Sequence, residues 1–185
     1  DYVLQHRSGD TVSNLSSTRA LRDVTRRHGG YYHASAVGEV NVVSKMKEVE
    51  AVIGGEGNGG IIVPDLHYGR DAMAGIALFL SHLAAAGRSA SQLRASYPDY
   101  HMVKDRIDLT PDIDLEHILT RLREKYQHEE LNLLDGLKID FPDAWVHLRK
   151  SNTEPIIRVY AEATSPEKAA ELVGRIKEDV GMLVG

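Results

Sequence analysis

Apolar and polar positions alternate along this chain in segments that name most of their own elements. Thr18 to Arg27 carries Leu21, Val24 and Thr25 at helical spacing behind Asn14, Ser16 and Ser17, which are good N-cap types, and His28-Gly29-Gly30 stops it. A short amphipathic helix is expected there. Gly30 to Ser44 alternates loosely around Val37, Val40, Val42 and Val43, and Ala51-Val52-Ile53 forms a short apolar run that ends in glycines; both read as strands. A second run, Ile61-Ile62-Val63, is stopped by Pro64-Asp65, so the order is strand, glycine loop, strand. Asp71 is placed to cap a helix from Ala72 to Ala86, with Gly87 at its C-terminal end. The apolar residues of that helix run almost all the way round, which predicts burial. Ser89 to Ser96 adds a further turn or two, and Tyr97-Pro98-Asp99-Tyr100 breaks the pattern. The break divides the chain into residues 1–98 and 99–185, with Tyr97 to Tyr100 as the expected hinge.

The second part opens with Met102, Val103, Ile107 and Leu109 among charges. It continues as a helix through Asp114 to Tyr126 with Leu115, Ile118, Leu119 and Leu122 as its inner stripe. Leu131 to Leu134, Asp135-Gly136 and Leu137 to Phe141 predict a hairpin, because Asp-Gly supplies the positive φ angles of a tight turn. Trp145 to Arg149 and Ile156 to Ala163 read as two more strands. Ser165-Pro166-Glu167 opens a final helix carrying Ala169, Leu172, Val173, Ile176 and Val180. This second part reads as an α+β unit with a mostly antiparallel sheet.

Composition narrows the chemistry. With 185 residues and 42% hydrophobic content the chain can bury a core. It has no cysteine, so disulfides and thiolate metal sites are excluded, and a cytoplasmic location is the default. A formal charge of -5 argues against general affinity for nucleic acid while leaving room for a local anion pocket. The apolar run Ala72 to Leu80 is too short to span a membrane, and the start, Asp1-Tyr2-Val3, without Met or signal-peptide character, reads as a cut inside a longer protein.

Strand alternation puts Val146 and Leu148 on one face of Trp145 to Arg149, and Trp145, His147 and Arg149 on the other. The same rule buries Ile157, Val159 and Ala161 and turns Arg158, Tyr160 and Glu162 outward. Two arginines then flank a loop of Ser151, Asn152 and Thr153, all potential donors to an anion, closed by Pro155. Arginine meets phosphate with paired charge-assisted bonds, each contributing roughly 1.5 to 3 kcal/mol. On spacing alone the plainer reading, a polar turn between two strands, is favoured, since these residue types dominate turns.

Residues Arg149 to Ala163, Arg-Lys-Ser-Asn-Thr-Glu-Pro-Ile-Ile-Arg-Val-Tyr-Ala-Glu-Ala, closely resemble the phosphate-binding loop (149–158) in the last domain of the α-D-phosphohexomutases. Gly54-Gly55-Glu56-Gly57-Asn58-Gly59-Gly60 resembles that family's sugar-recognition loop (54–60) in the preceding domain, and Val37-Gly38-Glu39 and Tyr68-Gly69-Arg70-Asp71 also fit. The resemblance implies domain 3 of the family, an α/β fold with a mixed sheet and flanking helices, followed by its C-terminal domain 4, an α+β fold like the TATA-box-binding protein. It implies a four-domain isomerase that interconverts hexose 6-phosphate and hexose 1-phosphate. A phosphoserine in the first domain and Mg2+ on an aspartate loop in the second would do the phosphoryl transfer.

Neither of those two motifs is in this chain. Ser16-Ser17-Thr18 is better explained as a helix cap, and Asp112-Ile113-Asp114 lacks the metal loop's spacing and following Arg. The resemblance therefore implies a substrate-binding half, inactive alone, with no catalytic residue, metal or cofactor of its own, and with the missing N-terminal domains 1 and 2 as its partners. Glu56 and Asn58 would bond sugar hydroxyls, and Arg149, Ser151, Asn152 and Thr153 would hold the phosphate that is not transferred. Arg158 matches a motif position and is read either as a ligand or as a structural partner of Glu154 or Glu162. The family commonly has Ser at the place of Asn58 and often His at that of Gly60. Where a basic residue is frequent before the Val-Gly element this chain has Ala36, so that contact is either missing or supplied by Lys45. The glycine loop looks most like the phosphoglucosamine mutase branch, which implies glucosamine phosphates as substrates. Phosphomannomutase or phosphoglucomutase activity and a stand-alone sugar-phosphate module are the alternatives.

Rival readings fail on context. Gly55 to Gly60 satisfies G-x-G-x-x-G formally, yet a strand follows it instead of a helix, and no Gly-Lys-Ser/Thr is present. Nine histidines form no H-E-x-x-H and no i, i+4 pair on a predicted helix. His147 lies beside the phosphate loop by alternation, with its role open. Neither nucleic acid nor a membrane is an expected partner.

Overall fold

The computed structural model describes all residues except 110–113, 152 and 185, and only the backbone of Val184. Asn152 and Asp112-Ile113 thus lie outside the described residues. The chain divides into two compact units, Asp1–Asp99 and Tyr100–Gly185.

The first unit holds α1 (Tyr2–His6), β1 (Thr11–Asn14), α2 (Ala20–Arg27), β2 (Tyr32–Ser35), α3 (Glu39–Glu48), β3 (Ile53–Gly55), β4 (Ile61–Ile62), α4 (Ala72–Ala86) and α5 (Ala90–Arg94). Its sheet runs β2-β1-β3-β4, with β1 parallel to both neighbours and β3-β4 antiparallel. Strand alternation sorts the helices onto two faces. Thr11 bonds Thr25 of α2 through their hydroxyls at 2.6 Å, whereas Val12 packs with Val42 and Met46 of α3 and with Ile62. On the α2 face, Leu4, Val24 and Val52 form a second small core with Val3, Ile53 and Tyr97 packed against it.

Three expectations change here. Val40, Val42 and Val43 lie on a helix, not a strand: Val42 and Met46 are buried one turn apart, while Val40 is 81% exposed. A helical stripe rich in β-branched residues imitates strand alternation over so short a window. The helix expected from Thr18 starts at Ala20 after a non-capping Arg19, and Asn14 ends strand β1, which the apolar pattern did not announce. The helix Ala72 to Ala86 forms with its Asp71 cap, the carboxylate accepting from the Ala74 N–H at 2.9 Å, and ends at Gly87. Contrary to the expected burial, only Ala74 and His82 of α4 are buried.

The second unit holds β5 (His101–Asp108), α6 (Leu115–Lys125), β6 (Glu130–Asn132), β7 (Leu137–Asp140), β8 (Ala144–Lys150), β9 (Ile156–Ala163) and α7 (Pro166–Val184). The sheet order is β5-β9-β8-β7-β6, and every pairing is antiparallel. Ile118 and Leu122 of α6 and Leu172, Val173, Ile176 and Val180 of α7 close over Leu137, Ile139, Val146, Leu148, Ile157, Val159 and Ala161. The β6-β7 connection runs from Leu133 to Gly136, wider than the two-residue turn that Asp-Gly suggested. Alternation also misjudged the second face of β8 and β9. Trp145, His147 and Glu162 are buried, with the indole N–H donating to Glu162 at 2.8 Å and the Lys138 ammonium 4.5 Å over the ring. Glu162 is thus a partner of Trp145, while Arg158 donates to Glu154. Among the described residues no helix is long and apolar enough to cross a membrane.

Candidate functional site

The loop between β8 and β9 is built by register. Arg149 stands directly opposite Arg158, and Arg158 opposite Arg106 on β5, so three arginines form a row across three adjacent strands. Like charges in directly opposed positions cost stability, so such a row calls for anions. Three carboxylates meet it. Asp135 Oδ2 lies 3.3 Å from Arg149 Nε without hydrogen-bond alignment, Glu154 accepts from Arg158 at 2.9 Å, and Asp108 lies 3.5 Å from Arg106. Arg158 therefore takes the structural pairing with Glu154 that the sequence allowed.

Ser151 is buried, and its N–H closes the loop by donating to the Ile156 carbonyl at 3.0 Å. The other donors are loosely engaged. The Thr153 N–H reaches Ser151 Oγ only at 3.4 Å, the two hydroxyls lie 3.4 Å apart, and Arg158 touches Ser151 Oγ at 3.4 Å. Contacts of that length are weak beside a charge-assisted bond near 2.8 Å, so a phosphate oxygen would win these donors.

Asp135 is the residue that sequence reasoning missed. The Asp-Gly pair signalled a turn, and nothing local shows that the turn lies against β8. A Cβ on Gly136 would meet the Leu148 carbonyl oxygen at 2.2 Å and Arg149 Cα at 3.0 Å, and φ there is +78°. Only glycine lets the two backbones approach so closely. Behind it, His147 Nε2–H donates to the Asp135 carbonyl at 2.6 Å, which fixes Asp135 from the other side. Gly136→Ala is expected to destabilise the second unit by at least about 1 kcal/mol from the left-handed backbone alone, with the clash adding to it. A urea unfolding curve with an unshifted midpoint would contradict this.

In the first unit the glycine loop is a β3-β4 hairpin. The Glu56 N–H donates to the Gly60 carbonyl at 2.9 Å, and a Cβ on Gly55 would lie 2.3 Å from that same oxygen. The Glu56 side chain is only 6% exposed; it accepts from Asn14 Nδ2 at 3.0 Å and faces Arg70 at 3.5 Å. Arg70 donates its Nε and its backbone N–H to Glu39, both at 2.9 Å, and that backbone bond first, then the guanidinium, holds the Glu39 carboxyl below its ordinary range. The expected pair thus separates in environment. Glu56 is anchored inside a network of Asn14, Arg70 and Glu39, while Asn58 sits exposed at the tip, its Oδ1 accepting from Gly60 N at 3.0 Å. Arg70 and Glu39 lie in the two short stretches that fit the family, and the structure supplies their connection. Lys45 pairs with Glu48 at 2.7 Å.

Among the described residues no group of three or more His, Cys, Asp or Glu is placed to hold a metal ion.

Comparison with known proteins follows this layout. Residues 1–100 match the family model described as phosphoglucomutase/phosphomannomutase, alpha/beta/alpha domain III, and residues 114–179 match the C-terminal domain of the same family. A "Probable phosphoglucosamine mutase" of Methanopyrus kandleri is 36% identical over 168 residues, covering 89% of this chain and 36% of that protein. A phosphoglucomutase/phosphomannomutase of Thermococcus kodakarensis is 34% identical over 174 residues, covering 92% of this chain and 38% of its own length. Among solved structures, a phosphoglucomutase/phosphomannomutase family protein from Burkholderia thailandensis superposes with a TM-score of 0.73 at 24% identity, over 96% of this chain and 39% of that one. The chain spans well under half the length of these relatives. Its two units, in this order and with these loops, belong to the phosphoglucomutase/phosphomannomutase family.

Proposed function

We propose that the chain is the substrate-binding half of a phosphohexomutase that interconverts hexose 6-phosphates and hexose 1-phosphates, with glucosamine phosphate as the preferred substrate. The observation that carries the reading is the opposed pair Arg149 and Arg158 beside the loosely engaged donors of Ser151 and Thr153. In this reading Arg149, Ser151, Asn152 and Thr153 hold the phosphate that is not transferred, with Arg158 orienting Ser151 and Glu154. Asn58 and the carboxylate of Glu56 bond the sugar hydroxyls. The Asn14-Arg70-Glu39 network keeps that carboxylate fixed, so its orientation is set before substrate arrives. The family's Mg2+ supplies charge for phosphoryl transfer when bound, and in this proposal domains 1 and 2 provide both its ligands and the phosphoserine. The glycine loop and the Methanopyrus relative favour an amino sugar, and the Thermococcus relative makes mannose phosphate the comparison to beat.

The test is an NMR titration of the chain with glucosamine 6-phosphate and, separately, mannose 6-phosphate. Shifts at Arg149, Ser151 and Thr153 are expected, with a dissociation constant on the order of millimolar because half the pocket is absent. Unmoved resonances at saturating sugar phosphate in a folded sample would sink the reading. Tighter binding of the mannose compound would move the substrate assignment to the other branch.

A further inference from the structure

Glu56 divides its two oxygens between different partners. Asn14 Oδ1 accepts from the Ser16 N–H at 3.1 Å and from the Ser17 hydroxyl at 2.9 Å, which orients the amide so that its Nδ2 donates to Glu56 Oε1. Oε2 instead faces Arg70 Nη1 at 3.5 Å, too long for a charge-assisted bond. Arg70 is held by other contacts. Its Nε and its backbone N–H both donate to Glu39, and the Asp71 N–H donates to the Ile61 carbonyl at 2.8 Å, which pins this stretch beside β4. The arginine stem crosses the loop over Gly60, where a Cβ would lie 2.5 Å from Arg70 Cδ and 2.9 Å from Cγ. Residues 54–60 contain no lysine or arginine, so the loop borrows its cation from position 70. That side chain is 47% exposed, which leaves its Nη groups within reach of a ligand.

We propose that Arg70 is a further substrate-contacting residue, donating to the oxygen of the same ring hydroxyl whose hydrogen Glu56 Oε2 accepts. A hydroxyl is donor and acceptor at once, and an oxygen about 2.8 Å from both atoms fits across their 3.5 Å separation. The pair therefore reads a hydroxyl and rejects an ammonium, which has only hydrogens to offer and would meet the positive guanidinium. In a glucosamine phosphate the ammonium is on C2 and the phosphate positions are C1 and C6, which leaves the hydroxyl on C3 or on C4 as the group read. Gly60 belongs to the device, because any side chain there would push the arginine stem off the loop. The plainer role for Arg70 is to neutralise Glu39 and Glu56 without touching the sugar. This inference rests on the reading of Glu56 as a sugar ligand.

The test is calorimetric titration of the full-length parent with glucosamine 6-phosphate and with its 3-deoxy and 4-deoxy analogues, in the unaltered protein, in Arg70→Met and in Gly60→Ala. The methionine keeps a stem and removes the donors, whereas the alanine leaves the arginine and displaces it. Arg70→Met should bind glucosamine 6-phosphate roughly 10-fold or more weakly. For the one analogue that lacks the hydroxyl read, the same substitution should change affinity by less than about twofold, since the partner is already gone. Gly60→Ala should repeat this pattern at smaller size. An equal loss for all three sugars, or no loss for any, would overturn the inference and leave Arg70 as a neutraliser of the two acids. Each variant is its own control across the sugars, so general destabilisation does not imitate a selective loss. If the unaltered protein fails to bind glucosamine 6-phosphate, the substrate reading falls and takes this one with it, an outcome visible before any variant is made.

Discussion

Replacing Arg149 by alanine should weaken binding of a hexose 6-phosphate by roughly 10- to 150-fold, the equivalent of about 1.5 to 3 kcal/mol for one charge-assisted contact. The guanidinium is largely enclosed, with 16% of its side chain exposed, and its Nε makes no well-aligned hydrogen bond among the described residues. Asp135 stands close enough to keep it oriented. Lysine at this position restores the charge and loses the paired geometry, so Arg149→Lys should recover only part of the affinity. Calorimetric titration of the full-length parent, with thermal unfolding measured alongside, separates the two ways of failing. A loss of affinity at unchanged melting temperature supports a ligand role, and a fall in melting temperature with affinity intact would make Arg149 structural.

Acid should weaken the second unit through His147 well before carboxylates protonate. Burial drives the His147 imidazole down to about 4 from its ordinary 6.5, against the opposing pull of the Asp135 carbonyl and carboxylate. Between those two values the unfolded chain binds a proton that the folded one refuses, so stability is complete above pH 6.5, declines as pH falls toward 4, and levels off below. The full loss is about 3 kcal/mol, of which about 2 kcal/mol is gone at pH 5. Urea unfolding at pH 7 and pH 5 should show this difference in the parent sequence, and a much smaller one in His147→Gln, whose amide can still donate to the Asp135 carbonyl. Equal slopes in the two proteins would remove His147 as the cause.

The sequence announced elements best where chemistry punctuates them. Asp71 and Gly87 bracket α4 as expected because a cap and a stop are local events. Pro166 opens α7 for the same reason. Local pattern failed where the deciding partner is distant. Val40 to Val43 look like a strand until Met46 joins Val42 against the sheet. The burial expected for α4 from its composition did not appear, because composition shows that a face is apolar and not what lies against it, and only Ala74 and His82 are buried. In the candidate site, Arg149 and Ser151 stand at positions that strand period and motif made legible. Asp135 and the Glu39-Arg70 pair were not, because each depends on segments brought together by the fold, 31 residues apart in the second case. Asn58 and Glu56 both stand in the loop that resembles a sugar-recognition loop, and only the Asn14 and Arg70 contacts distinguish the anchored acid from the exposed amide.

Trp145 is the chain's single tryptophan, and it sits on the strand that leads into the Ser151 loop, sealed against Glu162 and Lys138. Its emission is therefore an optical signal belonging to one half of the molecule alone. Melting of the Asp1–Asp99 unit carries no indole signature, so fluorescence follows the second unit alone while far-ultraviolet dichroism, recorded on the same heating ramp, follows both. Where the traces coincide the halves unfold together, and where they part, the unit that carries Arg149 has a stability that can be read without cutting the chain.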